Sequence, residues 1–429
     1  MSDSTSFMDE KQTILKVVPS LRARRSANGS VVLTRKFLDG VNEFQKSWNG
    51  PVAVYMTPRL SETGEMDDVS VWPKDLSFHL EVLSLLDIER TITADRSAMV
   101  LLSLDDFRQN RLGSVCESNG VACAYISEYS VATRKQIIDA NTTNRFLRVR
   151  RKFWEEGEER RRRAAVTKAV GLQCNGTPTY DSYRDLNADS ILFFDTRVTE
   201  EMLATEEEIG RRTSRLSETR PLQLLYSGRL APMKGAMQLL HVAKELRRMN
   251  VDFHLSICGD GESKQAMSRV IDAEQLTSCV SLKGVLDFRT ELVSFVKSEI
   301  DLFVCCHPQG DPSCTYLETM SGGVPIAGYA NEAFAGIVRS SGCGWLAPVN
   351  RPDELAHVIL DISKTPALLR EKSQEALAFA KGHTFNRTVS RRIDHLRTLK
   401  ARVAGMRSHD HKGDRLGQEL QKRAIASGS

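Results

Sequence analysis

Apolar and polar positions along this chain form two long series, each a string of short apolar runs separated by stretches with helical spacing. In the first series the runs are TILKVV (13–18), PVAVYMT (51–57), AMVLLSL (98–104), VACAYISE (121–128), AVGLQCNG (169–176) and SILFFD (190–195). Helical patterns lie between them, over residues 33–47 and, as one long stretch, over 131–165. Asp105, just after the third run, stands where it could cap a following helix. The second series comprises LQLLYSGR (222–229), FHLSICG (253–259), CVSLKG (279–284), DLFVCC (301–306), VPIAGY (324–329) and GWLAP (344–348). Helices are expected between these runs over 234–249, 262–274, 289–298 and 315–323, with closing helices over 352–362 and 366–381. Strand–helix alternation of this kind predicts mostly parallel, doubly wound sheets. The expected fold class is α/β, with two tandem Rossmann-like domains facing a central cleft.

The seam between the series is TEEMLATEEEIGRRTSRLSET (199–219), which is charged and has no strand pattern. The expected domains are a first domain over 1–200, a linker over 201–219 and a second domain over 220–385. Residues 386–429 are expected to form a helix over 387–403 that crosses back to the first domain, followed by a disordered basic tail.

Charge sharpens this division. The net charge is +4, and the segment 386–429, with 11 Lys/Arg and 4 Asp/Glu, holds the basic excess. That is not the basic stripe on a folded face expected of a nucleic-acid-binding domain. The nine cysteines contain no CxxC pair, and several sit inside apolar runs, as Cys258, Cys305 and Cys306 do. They read as small buried hydrophobes in a reducing compartment. The start of the chain, MSDSTSFMDEKQ, lacks an apolar signal core. No run approaches the ~18 apolar residues of a membrane span. The expected location is the cytoplasm, with peripheral contact at the inner face of the cell membrane as a further expectation.

Three segments of the second series carry candidate chemistry. In LYSGRLAPMKGAMQLL, Gly228 ends a strand, Arg229 follows it, and Lys234 with Gly235 opens a helix. Two cations beside a helix N-terminus, at the C-terminal end of a strand, suit a diphosphate. In ICGDGESKQAM, Gly259-Asp260-Gly261 follows a buried strand, where glycines allow a tight turn and close backbone approach; a GDG by itself is common in α/β folds. In HPQGDPSCTYLETMSGGVPIAGY, the turn at 310–315 would aim backbone N–H groups at a phosphate. Glu318 follows on the helix, where its carboxylate could accept hydrogen bonds from ribose hydroxyls.

Taken in order and spacing, GRLAPMKG, GDG and DPSCTYLETMSGGVP resemble the donor domain of the family 4 retaining glycosyltransferases of the GT-B fold. That family carries a GR-x-x-x-x-KG segment, a G-D-G turn and a Glu-x7-Glu segment. The resemblance covers residues 220–350 and extends to the rest by topology. It implies that Arg229 and Lys234 hold the donor diphosphate and that Glu318 binds the nucleotide ribose. It also implies that the amides of Ser313, Cys314 and Thr315 touch phosphate, and that the turn around Val285 and Leu286 borders the base. The first Glu of the pair falls on Gly310 in this chain. Asp311, one position later and one methylene shorter, is the candidate to take over its approach to the donor sugar. The implied reaction transfers a sugar from a nucleotide-sugar donor to an acceptor hydroxyl with retention, and the departing phosphate itself can take the acceptor proton. No DxD metal motif occurs in the second domain, so neither metal nor other cofactor is expected. A role in cell-surface polysaccharide or lipopolysaccharide synthesis is the family's usual employment.

The first series would bind a saccharide or glycolipid acceptor. Glu128, at the C-terminal end of a strand, is its candidate catalytic residue, able to position or deprotonate a hydroxyl. Arg59, Asn175-Gly176 and the Asn28-Gly29-Ser30 loop are weaker cleft candidates. NRFLRVRRKFWEEGEERRRR (144–163) mixes nine Lys/Arg with Phe153 and Trp154. It reads either as a solvated, salt-bridged helix or as a face for an anionic membrane; no stacking platform for nucleic acid accompanies it. Two further readings are a non-catalytic, membrane-associated nucleotide-sugar binder and a sugar-nucleotide epimerase or hydrolase-like enzyme on the same fold. A dinucleotide enzyme is discounted because no G-x-G-x-x-G follows any strand.

Overall fold

A computed structural model describes residues 12–59, 68–216 and 220–426, with side chains described up to residue 405. The first domain is built on seven parallel strands. Their order across the sheet is Ser190–Phe193, Gly171–Asn175, Ala122–Ser127, Met99–Ser103, Leu15–Val18, Val52–Met56 and His79–Val82. Strands such as Met99–Ser103 are buried along their whole length. Their unbroken apolar runs fit a sheet covered on both faces. The last edge strand, His79–Val82, and the helix Leu85–Thr93 are additions to the sequence reading, although Leu85, Ile88 and Ile92 stand at helical spacing. A small antiparallel sheet of Arg24–Arg25, Val31–Thr34 and Asp68–Val71 is likewise an addition. Asn28-Gly29-Ser30 forms the turn inside it, with Ser30 N donating to Asn28 Oδ1 at 3.0 Å. The helix expected from residue 33 starts at Arg35, because Val31–Thr34 is spent on that strand and Thr34 becomes the N-cap.

The second sheet holds six parallel strands in the order Val280–Gly284, Phe253–Cys258, Leu222–Ser227, Leu302–Cys305, Ile326–Tyr329 and Trp345–Ala347. In both sheets the first strand in sequence lies inside the sheet, so the order reverses beside it. Such switch points open a crevice at the C-terminal ends of the strands. In the second sheet that crevice lies between the loop after Ser227 and the loop after Cys305.

Three sequence expectations change on folding. The long helical stretch is two helices, Val131–Asn141 and Arg145–Lys168, the second N-capped by Asn144. Asp105 caps no helix; Asp106 caps the short turn at Phe107–Gln109 instead. Asp105 accepts from the N–H groups of Glu128 and Tyr129 and from Arg134. The seam between the series contains a helix, Glu206–Thr213, with a Thr205–Glu208 capping box. Its Arg212 is fully buried and donates to the carbonyls of Gly322 (2.7 Å) and Gly323 (2.5 Å). Arg215, which donates to Ser298 O, and Ile209, which packs with Leu377, add to this anchoring of the connection on the second domain.

The final helix, Phe385–Ala426, extends well past the 387–403 read from the pattern, helped by the absence of proline after residue 366. It crosses to the first domain and lodges Val389, Ile393, Leu396 and Leu399 in its core. Gln173 and the helix exchange two hydrogen bonds at 2.9 Å, one to Arg392 O and one from Arg392 Nε.

Candidate active site: two walls of an interdomain cleft

The second-domain wall is made largely of backbone. The loops after strands Leu222–Ser227, Phe253–Cys258 and Val280–Gly284 are zipped together: Gly228 N donates to Cys258 O, Gly259 N to Gly284 O and Leu230 N to Asp260 O, at 2.7–3.0 Å. This packing requires glycine. A Cβ on Gly259 would stand 1.9 Å from Gly228 O. Gly235 has φ +67, and a Cβ there would meet Cys306 O at 1.9 Å. Gly261 packs against Leu230 O in the same way. The Asp260 carboxylate turns back onto Gly261 N (2.7 Å) and Lys264 (2.9 Å), and both contacts hold its pKa below the ordinary value. In the GDG turn, then, the glycines shape the wall while the aspartate serves the turn itself.

Lys234 and Asp311, 77 positions apart, form an ion pair at 2.5 Å in the crevice. The second oxygen of Asp311 is buried and has no hydrogen-bond partner among the described residues. Arg229 is exposed on the loop after Ser227, and its carbonyl accepts from the Tyr226 hydroxyl at 3.1 Å. His307, at the other side of the switch point, is a residue the sequence reading missed. It is buried between the rings of Tyr226 and Tyr316, and neither ring nitrogen has a partner among the described residues. Burial, reinforced by Lys234, holds its pKa well below the ordinary value, so it is neutral.

Gly310 is packed closely between the domains. Its N–H donates to Gln136 Oε1 (3.0 Å) and its carbonyl accepts from Thr133 Oγ1 (3.2 Å), both on a first-domain helix. A Cβ at this position would lie 3.0 Å from Glu332 Cβ, so a side chain here would crowd Glu332. The next residue, Asp311, faces Lys234.

Ser313, Cys314 and Thr315 begin the helix Cys314–Met320. The Cys314 sulfur accepts from Lys36 of the first domain at 3.1 Å. Glu318 accepts from Arg197 Nε at 2.9 Å, and the Arg197 guanidinium lies 4.2 Å from the ring centre of Phe288. Val285 points to solvent and Leu286 packs against the domain core. Phe288, absent from the sequence reading, is the aromatic that lines the space beside Glu318, together with Ser227, Leu292 and Thr315.

The first-domain wall is made of side chains. A cavity of about 270 Å³ opens at the C-terminal ends of its strands, between the helix Arg35–Ser47 and the final helix. Val17, Leu21, Phe37, Val41, Phe44, Leu101 and Ile126 make most of it apolar. Glu128, Asp195, Lys36 and Arg392 supply its charges. Lys36 bonds Asp195 at 2.5 Å. Burial opposes its charge, but the Cys314 sulfur and Asp195 hold its pKa well above the usual lysine value. Arg392 stacks on Phe193 and Phe44, and burial lowers its pKa to about 10 against the pull of Asp195 and Glu128. Glu128 is pushed up to about 7, first by burial and then by Asp105 and Asp195, with Lys36 and Arg392 opposing. Asn175 positions Asp195 by accepting from its N–H at 3.0 Å, and Gly176 lies against Pro312 across the cleft. Arg59 is tied by its backbone to Ala23, away from these groups. Lys36, Asp195 and Arg392 were missed; only Asp195, at the end of the run SILFFD, had a signal. On the solvent side the two walls separate to leave a space of about 840 Å³ lined by Lys36, Asp39, Arg197, Phe288 and Arg289.

Comparison with known proteins fits this architecture. Residues 210–378 match the family described as glycosyl transferases group 1. The chain is 22% identical over 150 residues to the putative colanic acid biosynthesis glycosyltransferase WcaL of Salmonella typhimurium, covering 34% of this chain and 36% of that protein. It is 30% identical over 114 residues to the 2-deoxystreptamine N-acetyl-D-glucosaminyltransferase of Niallia circulans, covering 27% and 29%. The chain thus matches well under half the length of either relative. The fold is shared more widely: HepE of Anabaena, solved in complex with UDP, superposes with a TM-score of 0.63 at 11% identity, over 90% of this chain and 99% of HepE. Residues 210–378, which hold the Lys234–Asp311 pair, the interlocked glycines and Glu318, are thus the part of the chain that resembles the glycosyl transferases group 1 family, and the chain as a whole has the tandem GT-B fold.

Proposed function

We propose that this chain transfers a sugar from a nucleotide-sugar donor to an acceptor hydroxyl with retention of configuration. The observation that carries the reading is the meeting of Lys234 and Asp311 at the switch point of the second sheet, with Arg229 on the adjoining loop, opposite a first-domain cavity that holds Glu128. Arg229, Lys234 and the amides of Ser313, Cys314 and Thr315 stabilise the charge growing on the departing diphosphate. In this scheme those cations take the part a divalent ion would play, and activity is expected to survive chelation with EDTA. Glu318 receives the ribose once Arg197 turns aside, and Phe288 lies under the base. Asp311 offers its unpartnered oxygen to the donor sugar.

The acceptor enters the largely apolar first-domain cavity with its hydroxyl toward Glu128. A carboxyl with a pKa near 7 suits proton transfer at neutral pH, and it competes for that role with the leaving phosphate. An acceptor with an apolar face, such as a glycolipid, suits the lining. The names of the relatives support a place in surface-polysaccharide or lipopolysaccharide synthesis. A second reading, nucleotide-sugar binding without turnover, draws on Gly310 standing where the first acid of the family pair would be.

The test is a thermal-shift screen with UDP, GDP, ADP, CMP and their sugar conjugates on wild type, Arg229→Ala and Glu318→Ala. UDP comes first because HepE binds it. A rise in Tm confined to one nucleotide and lost in both variants supports the donor site. Release of that nucleotide in the presence of acceptor separates transfer from binding alone. No shift with any nucleotide, from folded protein, would overturn both readings.

A further inference from the structure

Helix Arg145–Lys168 has two halves of opposite chemistry. In the second, Glu155, Glu158, Glu159, Arg162, Ala165 and Val166 are buried. Its charges are matched inside the domain: Arg162 bonds Glu155 at 2.6 Å and the Tyr183 hydroxyl bonds Glu159 at 2.8 Å. The expectation of a solvated helix therefore fails on this face, because Glu155 and Glu159 face inward to Arg134, Arg162 and Tyr183, while the expected Glu159–Arg163 pair is present at 3.9 Å.

The first half, RFLRVRRKFW, has five cations and no acid. Phe146 is 90% exposed, Val149 66% and Phe153 83%. Positions 146, 149 and 153 fall on one stripe of a helix, and Arg150 lies within it. Both features run against the needs of the fold. Cations in the opening turns oppose the helix dipole, and large apolar side chains at such exposure stabilise nothing within the chain.

Parallel topology locates this end. The helix must return the chain to the edge where the strands begin. Residues 155–168 span roughly 21 Å at ~1.5 Å per residue, about the length of a six-residue strand. Residues 145–154 therefore overhang the opposite edge, the one bearing Glu128 and the cleft. The partner helix Val131–Asn141 braces them, with Lys152 bonded to Asp139 (2.7 Å), Arg151 to Thr142 (2.8 Å) and Lys135 to Glu156.

We propose that this overhang is a docking face for an anionic lipid bilayer. Phe146, Val149 and Phe153 enter the interface, while Arg145, Arg150 and their neighbours meet headgroup phosphates. A projecting helix end offers no groove for a peptide and no charged channel for a nucleic-acid strand. A bilayer interface accepts apolar side chains and cations at adjacent depths. Docking there turns the mouth of the cleft toward the membrane surface, and the inference stands whether or not the chain is a transferase.

The experiment is co-sedimentation of the full chain with vesicles of phosphatidylcholine alone and of phosphatidylcholine mixed with phosphatidylglycerol. Wild type is expected on the anionic vesicles and not on the neutral ones. F146S/F153S and R145E/R150E are each expected to lower the partition coefficient about tenfold or more, with unchanged Tm because the four side chains are exposed. Equal partition of wild type onto both vesicles would overturn the proposal. So would wild-type partition by F146S/F153S, which would assign binding to the basic segment 386–429. Without vesicle binding, retention on nucleic acid or self-association that F146S/F153S abolishes would assign the face to that partner instead.

Discussion

The two walls of the cleft solve the problem of holding a ligand in different materials. The second-domain wall is a lattice of loop backbone, in which three loops lock together through Gly228, Gly259 and Gly261 and Lys234 pairs with Asp311. The first-domain wall is a set of side chains, Lys36, Glu128, Asp195 and Arg392, from four distant segments around an apolar cavity. A backbone site tolerates little change in residue size, because its glycines are already in contact. A side-chain site depends on every element that carries a member, including the last helix of the chain.

That contrast is broken most severely by deleting residues 385–429. The deletion removes Val389, Ile393, Leu396 and Leu399 from the first-domain core, each worth ~1.5–3 kcal/mol of burial. The first-domain transition in calorimetry is expected to disappear; two intact transitions would refute the dependence. Next is Lys234→Ala, which is expected to lower kcat/KM about 100-fold or more, while Asp311→Asn keeps more activity. Equal losses would mean that the pair acts as a structural unit. Gly259→Ala tests the lattice itself and is expected to cost about 3 kcal/mol through the clash with Gly228 O, read as a fall in Tm.

Glu128→Gln tests the other wall through pH. The folded value near 7 lies above the ordinary value of 4.5. Between those limits the folded protein keeps a proton that the unfolded chain has released, so stability falls as pH rises through the window and levels off above it. The variant is expected to lose that fall in Tm. If Glu128 is the base, the rise of kcat/KM through pH 7 disappears as well; persistence of that rise would leave the leaving phosphate as the base. The smallest effect is expected from Arg197→Ala. It frees Glu318 from a partly exposed ion pair and should tighten nucleotide binding about threefold, in line with the modest worth of such pairs. Weaker binding would instead make Arg197 part of the donor site.

The same contrast governs what could be read in advance. Arg229, Lys234, the GDG turn and Glu318 sit in short contiguous segments, because a loop between one strand and the next helix is local in sequence. Their glycines mark where backbone must approach backbone. Lys36, Asp195 and Arg392 carry no such mark, since a lone charged residue reads the same on a solvated face as in a cavity. Phe288 and His307 were overlooked for a related reason: an aromatic in an apolar surrounding looks like core. The helix Arg145–Lys168 shows the limit most clearly, because its acids and its aromatics share one charged pattern and only packing separates the buried half from the overhang.

The amino-acid sequence by itself determined the two alternating series, the parallel sheets they build and the cationic loop of the second domain, because apolar runs and glycine turns act over a few residues. Tertiary structure alone decided that Gly310 packs against Glu332 and a first-domain helix, that Asp311 faces Lys234, and that Glu128 lies among Asp105, Asp195, Lys36 and Arg392. Those outcomes depend on which distant segments come within a few ångströms of each other, where burial and neighbouring charge, rather than residue type, set what a group can do.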